Sequence, residues 1–518
     1  LPDSHRSGNI TDMRFFTLLF FLLTVTVHAA PTTLIFARGA DSQKLDPADV
    51  DDGESVKVLL NVCEGLVRFK TGTAEIESCL ATSWTTSADG LSYTFKLRSG
   101  VKFHDGTPLD ANTALVSFRR QMEKSHPARP KNGTFAYWST MFAMVESVKA
   151  LDAGTLEFRL REPHAPFMAN LASFAASLIS PKFIDQQHVV GTGPFKFVEW
   201  KPSEKIVLEA NRDYWDGAPK LDRLIFKVVP DSATRLIQLQ TGQIQAMDGL
   251  DPNDLPIIQK DKQVKLVTAP GLNVAYLAFN CGKFPLSVTN IRRRIAAAIN
   301  KQDIISIIYR GIATAAKNPL PPFLLGYNDA IPERPKGPQV IRGDSSINLK
   351  EHPLKLEVMT NPRPYLPNPI RAAELIKADC AKAGIAIEIV PNEFGAHLSR
   401  TSNGQHELAL LGWVGDNGDT DNFLYTLLDK DTATLGSALN ICFWKNDAYH
   451  DLVVAARRES DPAKRAVLYR KAQEIIAEEV PMVPLAHAPA MMACRANVEG
   501  VHYEITGDIL FRYVTVKP

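Results

Sequence analysis

Residues 412–423 read GWVGDNGDTDNF and set Asp416, Asp419 and Asp421 among Asn417, Asn422, three glycines and Trp413. Carboxylates at this density can hold a cation, shape a solvated turn, or face a positively charged ligand. A calcium loop of the EF-hand kind needs oxygen ligands at positions 1, 3 and 5, glycine at 6 and glutamate at 12. Counted from Asp419, position 6 is Leu424 and position 12 is Lys430; counted from Asp416, position 3 is Gly418 and position 12 is Leu427. Both registers fail. A turn is the ordinary reading of an Asp/Asn/Gly cluster, but the apolar run LALLG leads directly into it and Trp413 sits at its start. Asp421 is expected to cap the helix that opens with NFLYTLL. Asp416 has no such local duty, which makes it the ligand candidate. An opposite charge, Arg363, stands in NPRPYLPNP at 361–369.

The elements that must position these two charges alternate in type. LKLEVMT at 354–360 reads as a strand, 368–384 as a helix, IAIEIV at 385–390 as a strand and HELALLGW at 406–413 as a third. Strands alternating with helices imply parallel pairing through right-handed crossovers, and ligands bind outside the carboxyl ends of such sheets. Arg363 follows the first strand and Asp416 the third, so a cation and an anion leave the same edge of one predicted sheet. The first half supplies strands at YTFKL and TLEFRL, a hairpin from GTGPFKFVEW and KIVLEA, and helices capped by Asp110 and Asp231.

With 518 residues, 45% of them hydrophobic, and a formal net charge of +1, the chain can bury two or three domain-sized cores and has no bias toward nucleic acid. MRFFTLLFFLLTVTVHAA from Met13 has the form of a cleavable signal peptide, placed at 13–29, with no cysteine at the cleavage site to carry a lipid. A soluble exported chain is expected. The six cysteines, at 63, 79, 281, 380, 442 and 494, all follow that segment, where disulfides and buried free thiols are both open. Signatures of a nucleophile elbow, a zinc protease helix, a Walker loop and a dinucleotide fingerprint are missing, and the histidines show no metal spacing. No catalytic residue, metal or cofactor is expected.

The run LATSWTTSADGLSYTFKLRSGVKFHDGTPLDA, together with GTGPF, NVCEGLV, PGLNVAYLAFN and KNPLPPFLLGYND, resembles the extracellular solute-binding proteins, family 5. That family serves ABC importers of peptides, nickel and related solutes. Residues 361–385 and 411–423 resemble its dipeptide-binding branch most. The resemblance implies an α/β periplasmic binding protein fold of two lobes and three subdomains, with a ligand cleft between the lobes. Lobe I would comprise 30–269 and 488–518, with an inserted subdomain at about 62–185, and lobe II 270–487, with chain crossings near Ala269 and Ala488. It also implies that Arg363 meets a peptide carboxylate and Asp416 its α-ammonium, with Trp413, Gly415 and Asn417 beside them. Asp52, Gly53 and Tyr137 would face them from the other lobe. The implied activity is capture of a dipeptide by a periplasmic monomer and its delivery to permease subunits of the inner membrane. Relatives in this branch also take haem, glutathione, 5-aminolevulinate or antimicrobial and oligopeptides, which stand as alternatives; a secreted hydrolase would need the nucleophile or metal set that was not found. Where the family usually carries a helix, between Tyr327 and Leu354, this chain is proline-rich without helical period, and its cysteines do not reproduce the disulfide pairs expected of the dipeptide-binding branch.

Overall fold

The computed structural model describes residues 32–182, 187–332 and 348–517; the expected signal peptide at 13–29 and residues 333–347 of the proline-rich stretch lie outside these. Among the described residues no helix is long and apolar enough to cross a membrane.

Two mixed sheets dominate. The seven-stranded one runs, from edge to edge, Val264–Ala269, Ala490–Arg495, Ala246–Met247, Thr33–Arg38, Arg223–Val228, Lys205–Ala210, Phe195–Lys201. Alternate residues of its central strand Thr33–Arg38 feed opposite cores, Leu34 and Phe36 into one, Ala37 into the other, as the two-residue period of a strand requires. The six-stranded sheet runs Thr314–Ala315, Met482–His487, Asn273–Phe279, Leu408–Val414, Leu354–Met359, Ile387–Asn392. Its strand Asn273–Phe279 is buried along its whole length, which explains why NVAYLAF reads as a continuous apolar run rather than an alternation.

Three of these strands form the parallel unit read from the sequence. Leu354–Met359 pairs in parallel with Ile387–Asn392 on one side and with Leu408–Val414 on the other. The crossover helix Pro369–Lys382 is capped by Asn368, whose side chain accepts from the Arg371 amide at 3.2 Å, and has proline in its first turn where the missing N–H costs nothing. It ends at Gly384, whose φ of +72° is one that glycine adopts without strain. The second strand begins at Ile387, two residues later than the apolar pattern starts, because Ile385 and Ala386 still close the turn through bonds to Cys380 and Leu349. The strand order places the first strand between the second and third. The chain therefore departs in opposite directions from the carboxyl ends of Leu354–Met359 and Leu408–Val414, and a crevice opens between the loops.

A four-stranded antiparallel sheet, Ala81–Thr86, Ser92–Leu97, Thr155–Leu160, Val145–Asp152, has an apolar cluster of its own running from Leu66 to Leu178. The helix Ala111–Met122 covers it, with Asp110 and Thr113 forming a reciprocal capping box. That helix is tied to the body of the chain by Arg120, fully buried, whose Nη1 donates to Asp46 Oδ2 at 2.7 Å while Nη2 donates to Oδ1. All six cysteines are free thiols, five of them buried, so the chain takes the free-thiol alternative.

The chain passes from the seven-stranded to the six-stranded sheet between Ala269 and Asn273 and returns between His487 and Ala490. These two passages lie side by side. Asn273 Nδ2 donates to Ala488 O at 2.8 Å, the Ala488 amide donates to Asn273 Oδ1 at 2.9 Å, and His487 Nδ1 donates to Asn273 O at 2.6 Å. A Cβ at Gly271 would stand 1.8 Å from Ala488 O, so only glycine lets the two strands approach this closely. Asn273→Ala removes both side-chain bonds and leaves the buried Ala488 amide and carbonyl unpaired. We expect roughly 2–4 kcal/mol of lost stability in urea unfolding; a loss under about 0.5 kcal/mol would show that these bonds do not hold the passages together.

Candidate ligand-binding site

The two charged loops leave adjacent parallel strands, and the packing between them is tight. The Tyr365 ring lies on Gly412, where a Cβ would come within 2.2 Å of it, and Tyr309 donates to Tyr365 O at 2.6 Å to hold the loop down. Arg363 and Leu366 exchange backbone hydrogen bonds at 3.1 and 2.9 Å, closing the loop on itself. The Arg363 guanidinium stacks on the Phe394 ring, its Cζ 3.4 Å from the ring centroid. Among the described residues no carboxylate forms an ion pair with it, so a half-buried cation is presented on an aromatic plate with its charge unanswered.

Asn422 organises the other loop. Its Oδ1 accepts from Trp413 Nε1 at 2.9 Å and from the Asp416 amide at 3.0 Å, while its Nδ2 donates to Asp416 Oδ2 at 3.2 Å. The Gly415 amide donates to Leu272 O at 2.8 Å, and a Cβ there would stand 2.7 Å from Leu272 and 2.9 Å from Phe423. Asn417 Nδ2 donates to Asn170 Oδ1 at 2.6 Å, reaching a residue of the part that carries the four-stranded sheet.

The three aspartates divide sharply. Asp419 is gripped by Arg465 through two bonds of 2.7 Å; burial raises its carboxyl, and Arg465 outweighs this and holds it below the ordinary range. Asp421 does not cap the helix as the sequence reading expected. The helix Asp421–Leu428 starts one residue earlier, on Thr420 with helical dihedrals, and Asp421 is its first residue, its amide donating to Asp419 Oδ1 at 2.8 Å. Its carboxylate faces Arg457 at 3.2 Å, and burial lifts its pKa to about 6 against that attraction. Asp416 is the exception. Tyr137 donates to Oδ1 at 2.9 Å, yet among the described residues no cation pairs with this carboxylate, and burial raises it above the usual range with only the Tyr137 and Asn422 bonds opposing.

Tyr137 thus spans from the opposite body to Asp416, and its ring stands edge-on to Phe174 at 5.1 Å. Burial pushes its hydroxyl well above the tyrosine range, reinforced by the charges of Asp416, Asp51 and Asp52. Asp52 Oδ1 caps the helix Gly53–Leu59 through the Ser55 amide at 2.8 Å, whereas its Oδ2 is buried without a partner. Gly53 is exposed, with no atom within 4 Å of the place a Cβ would take. The structure therefore joins Tyr137 directly to Asp416, links Trp413 to Asp416 through Asn422, ties Asn417 to Asn170, packs Gly415 on Leu272 and Phe423, sets Asp52 within electrostatic reach of Tyr137, and places Arg363 on the neighbouring strand end. Asn422 and Asn170, which hold the loop, were not singled out from the sequence; Asn422 carries a signal only in its position five residues after Asn417, and Asn170 carries none.

Asp416 also forms part of the wall of a cavity of about 80 Å³. Elsewhere, ligand atoms of Asp429, Asp431 and His450 lie within 4.8 Å of one another, a grouping that sequence spacing did not reveal. There Asp429 accepts from the Asp431 amide at 2.9 Å and from His450 Nδ1 at 2.9 Å.

Comparison with known proteins agrees with this architecture. Residues 75–434 match the model of the bacterial extracellular solute-binding proteins, family 5. The chain is 33% identical to a protein of Escherichia coli named dipeptide-binding protein, over 96% of each chain. It is 35% identical to heme-binding protein A of Haemophilus influenzae, over 92% of this chain and 91% of that one. Among solved structures, a periplasmic binding protein of Helicobacter pylori, DppA, in complex with the peptide STSA superposes with a TM-score of 0.81 at 37% identity, covering 94% of this chain and 99% of the other. With its two mixed sheets, its two neighbouring chain passages and a family match across 360 residues, the chain belongs to the bacterial extracellular solute-binding proteins, family 5.

Proposed function

We propose that this protein captures dipeptides in the cleft between two lobes and delivers them to the permease of an ABC importer, without chemical turnover. One observation carries the reading: Asp416 is a largely buried, hydrogen-bonded carboxylate with no cation partner among the described residues. A ligand α-ammonium supplies the missing charge. Arg363, also without a carboxylate partner, takes the ligand's carboxylate from the adjacent strand end. Each terminus of a zwitterionic peptide sheds water on entering, and that cost is recovered only against an opposite charge within hydrogen-bonding distance. The names of the E. coli relative and of the H. pylori complex support a peptide ligand.

In this reading lobe I is 30–269 with 488–518, including the subdomain at about 62–185, and lobe II is 270–487, with the Asn273–Ala488 junction as the hinge. Tyr137, Asp52 and Gly53 face the ligand from lobe I; Trp413, Gly415 and Asn417 frame it from lobe II. Segment 13–29 directs export and is removed, so that the mature chain works as a periplasmic monomer.

Calorimetry with Ala-Ala tests the site. Asp416→Ala leaves the bound ammonium unpaired and should weaken binding by roughly 10²- to 10³-fold. Arg363→Ala should act similarly, with Arg363→Lys recovering only part because the planar fork is lost. Wild-type affinity in either variant would remove that residue from the site. Haemin, included because of the H. influenzae relative, should not compete with Ala-Ala; full competition would move the reading to haem.

Acidity gives a second test. Asp416 sits above the ordinary carboxyl range in the free chain, and an ammonium partner lowers it, so the complex holds fewer protons between those two values. Dipeptide affinity should be level above the free-state value and then fall by up to about tenfold per pH unit as the pH drops through it. Asp416→Asn should bind more weakly at neutral pH and lose the part of this fall that belongs to Asp416. A wild-type affinity that does not change between about pH 8 and pH 4 would contradict the assignment.

A further inference from the structure

The cavity beside Asp416 carries more negative charge than the ligand's amino terminus needs. Four carboxylates line it, Glu64, Asp416, Glu504 and Asp508, against two guanidiniums, Arg68 and Arg512. Both arginines are already engaged: Arg68 by Glu77 at 2.7 Å and Asp216 at 3.2 Å, Arg512 by Asp216 at 2.8 Å. Glu64 is satisfied by donors, Tyr214 at 2.6 Å, Thr192 at 2.8 Å and Trp215 at 3.0 Å.

Glu504 and Asp508 are left over. Glu504 is only 9% exposed, and among the described residues its carboxylate has neither a hydrogen bond nor an ion pair. Among the described residues the Asp508 carboxylate accepts only from the Thr506 hydroxyl, at 3.0 Å. The turn that presents them is fixed, with the Glu504 amide donating to Asp508 O at 2.8 Å and the Gly507 amide to Glu504 O at 2.9 Å. Burial lifts Glu504 to about 7, with Arg68 and Arg512 opposing and Asp508 and Glu77 adding to the rise. It lifts Asp508 to about 6, with Lys57 opposing and Glu54 and Asp248 adding. Lys57 is itself held between Glu54 and Asp248. A buried carboxylate without a counter-ion is costly, and the cost falls when a ligand brings the cation.

We infer that this cavity receives the positively charged side chain of the ligand's first residue, a lysine or an arginine, with Glu504 and Asp508 as its counter-charges. The inference rests on the amino-end role proposed for Asp416. The first side chain branches from the carbon that bears the α-ammonium, and Asp416 and the two acids line the same cavity, so one residue can meet all three. A cationic side chain in second position is carried toward Arg363 and gains nothing.

Calorimetry with Lys-Ala, Ala-Ala, Ala-Lys and Lys-Ala acetylated on its side-chain amine tests this on the wild-type chain. Lys-Ala should bind about tenfold or more tighter than Ala-Ala, and side-chain acetylation or the swap to Ala-Lys should abolish the gain. The double variant Glu504→Gln, Asp508→Asn, near-isosteric at both positions, should lose the ratio between Lys-Ala and Ala-Ala. Equal binding of Lys-Ala and Ala-Ala by the wild type, or a ratio that persists in the double variant, overturns the inference. If the double variant does not melt cooperatively, the four peptides on the wild type decide alone. Ala-Ala binding without a lysine preference sinks the cavity inference and leaves the dipeptide reading standing; failure of every dipeptide to bind sinks both.

Discussion

A carboxylate that surrenders water without gaining a counter-ion raises the free energy of the folded chain, and Asp416 is held in that condition by everything around it. Tyr137 and Asn422 each donate one hydrogen bond, which offsets part of the loss but brings no positive charge. The contrast with its neighbours is instructive. Asp419 and Asp421, three and five residues on, are faced by Arg465 and Arg457. The loop thus neutralises its structural acids from within and leaves one unanswered, and any cation that reaches Asp416 relieves a cost the free chain carries.

The rest of the architecture serves to aim that charge. Parallel pairing of Leu354–Met359 with both its neighbours opens the crevice, and three close glycine contacts, at Gly412, Gly415 and Gly271, draw the loops and the two chain passages tight. Two side chains from the opposite body, Tyr137 and Asn170, reach across to Asp416 and Asn417. A carboxylate offers about four acceptor sites, so the bond from Tyr137 leaves Asp416 able to receive an ammonium as well.

Much of this was legible in the sequence, and the failures have physical causes. The strand, helix and strand of 354–390 could be read because hydrophobic period and capping residues are local, and the same holds for the caps at Asp110 and Asp231. Arg363 and Asp416 stood out because each directly follows a strand. Asp421 was misread as a cap because the arginines that occupy Asp419 and Asp421 lie 46 and 36 residues downstream, beyond any local pattern. Tyr137 was suspected through resemblance alone, since its partner lies 279 residues away. Glu504 and Asp508 stand in VHYEITGDIL, where neither residue type nor spacing sets them apart. Their burial follows from the return of the chain through Ala490–Arg495 into the seven-stranded sheet, a tertiary event with no periodic trace.

The most direct measurement of the central claim, that Asp416 is a charge waiting for an amino terminus, is calorimetric titration of the wild-type protein with a dipeptide, its N-acetyl form and its C-terminal amide. The account predicts strong binding of the free peptide and a large loss on acetylation, because the acetylated nitrogen is neutral and Asp416 stays unpaired, and a separate loss on amidation through Arg363. Equal binding of the free and acetylated dipeptides would show that Asp416 answers no ligand charge, and the account of the site would fail.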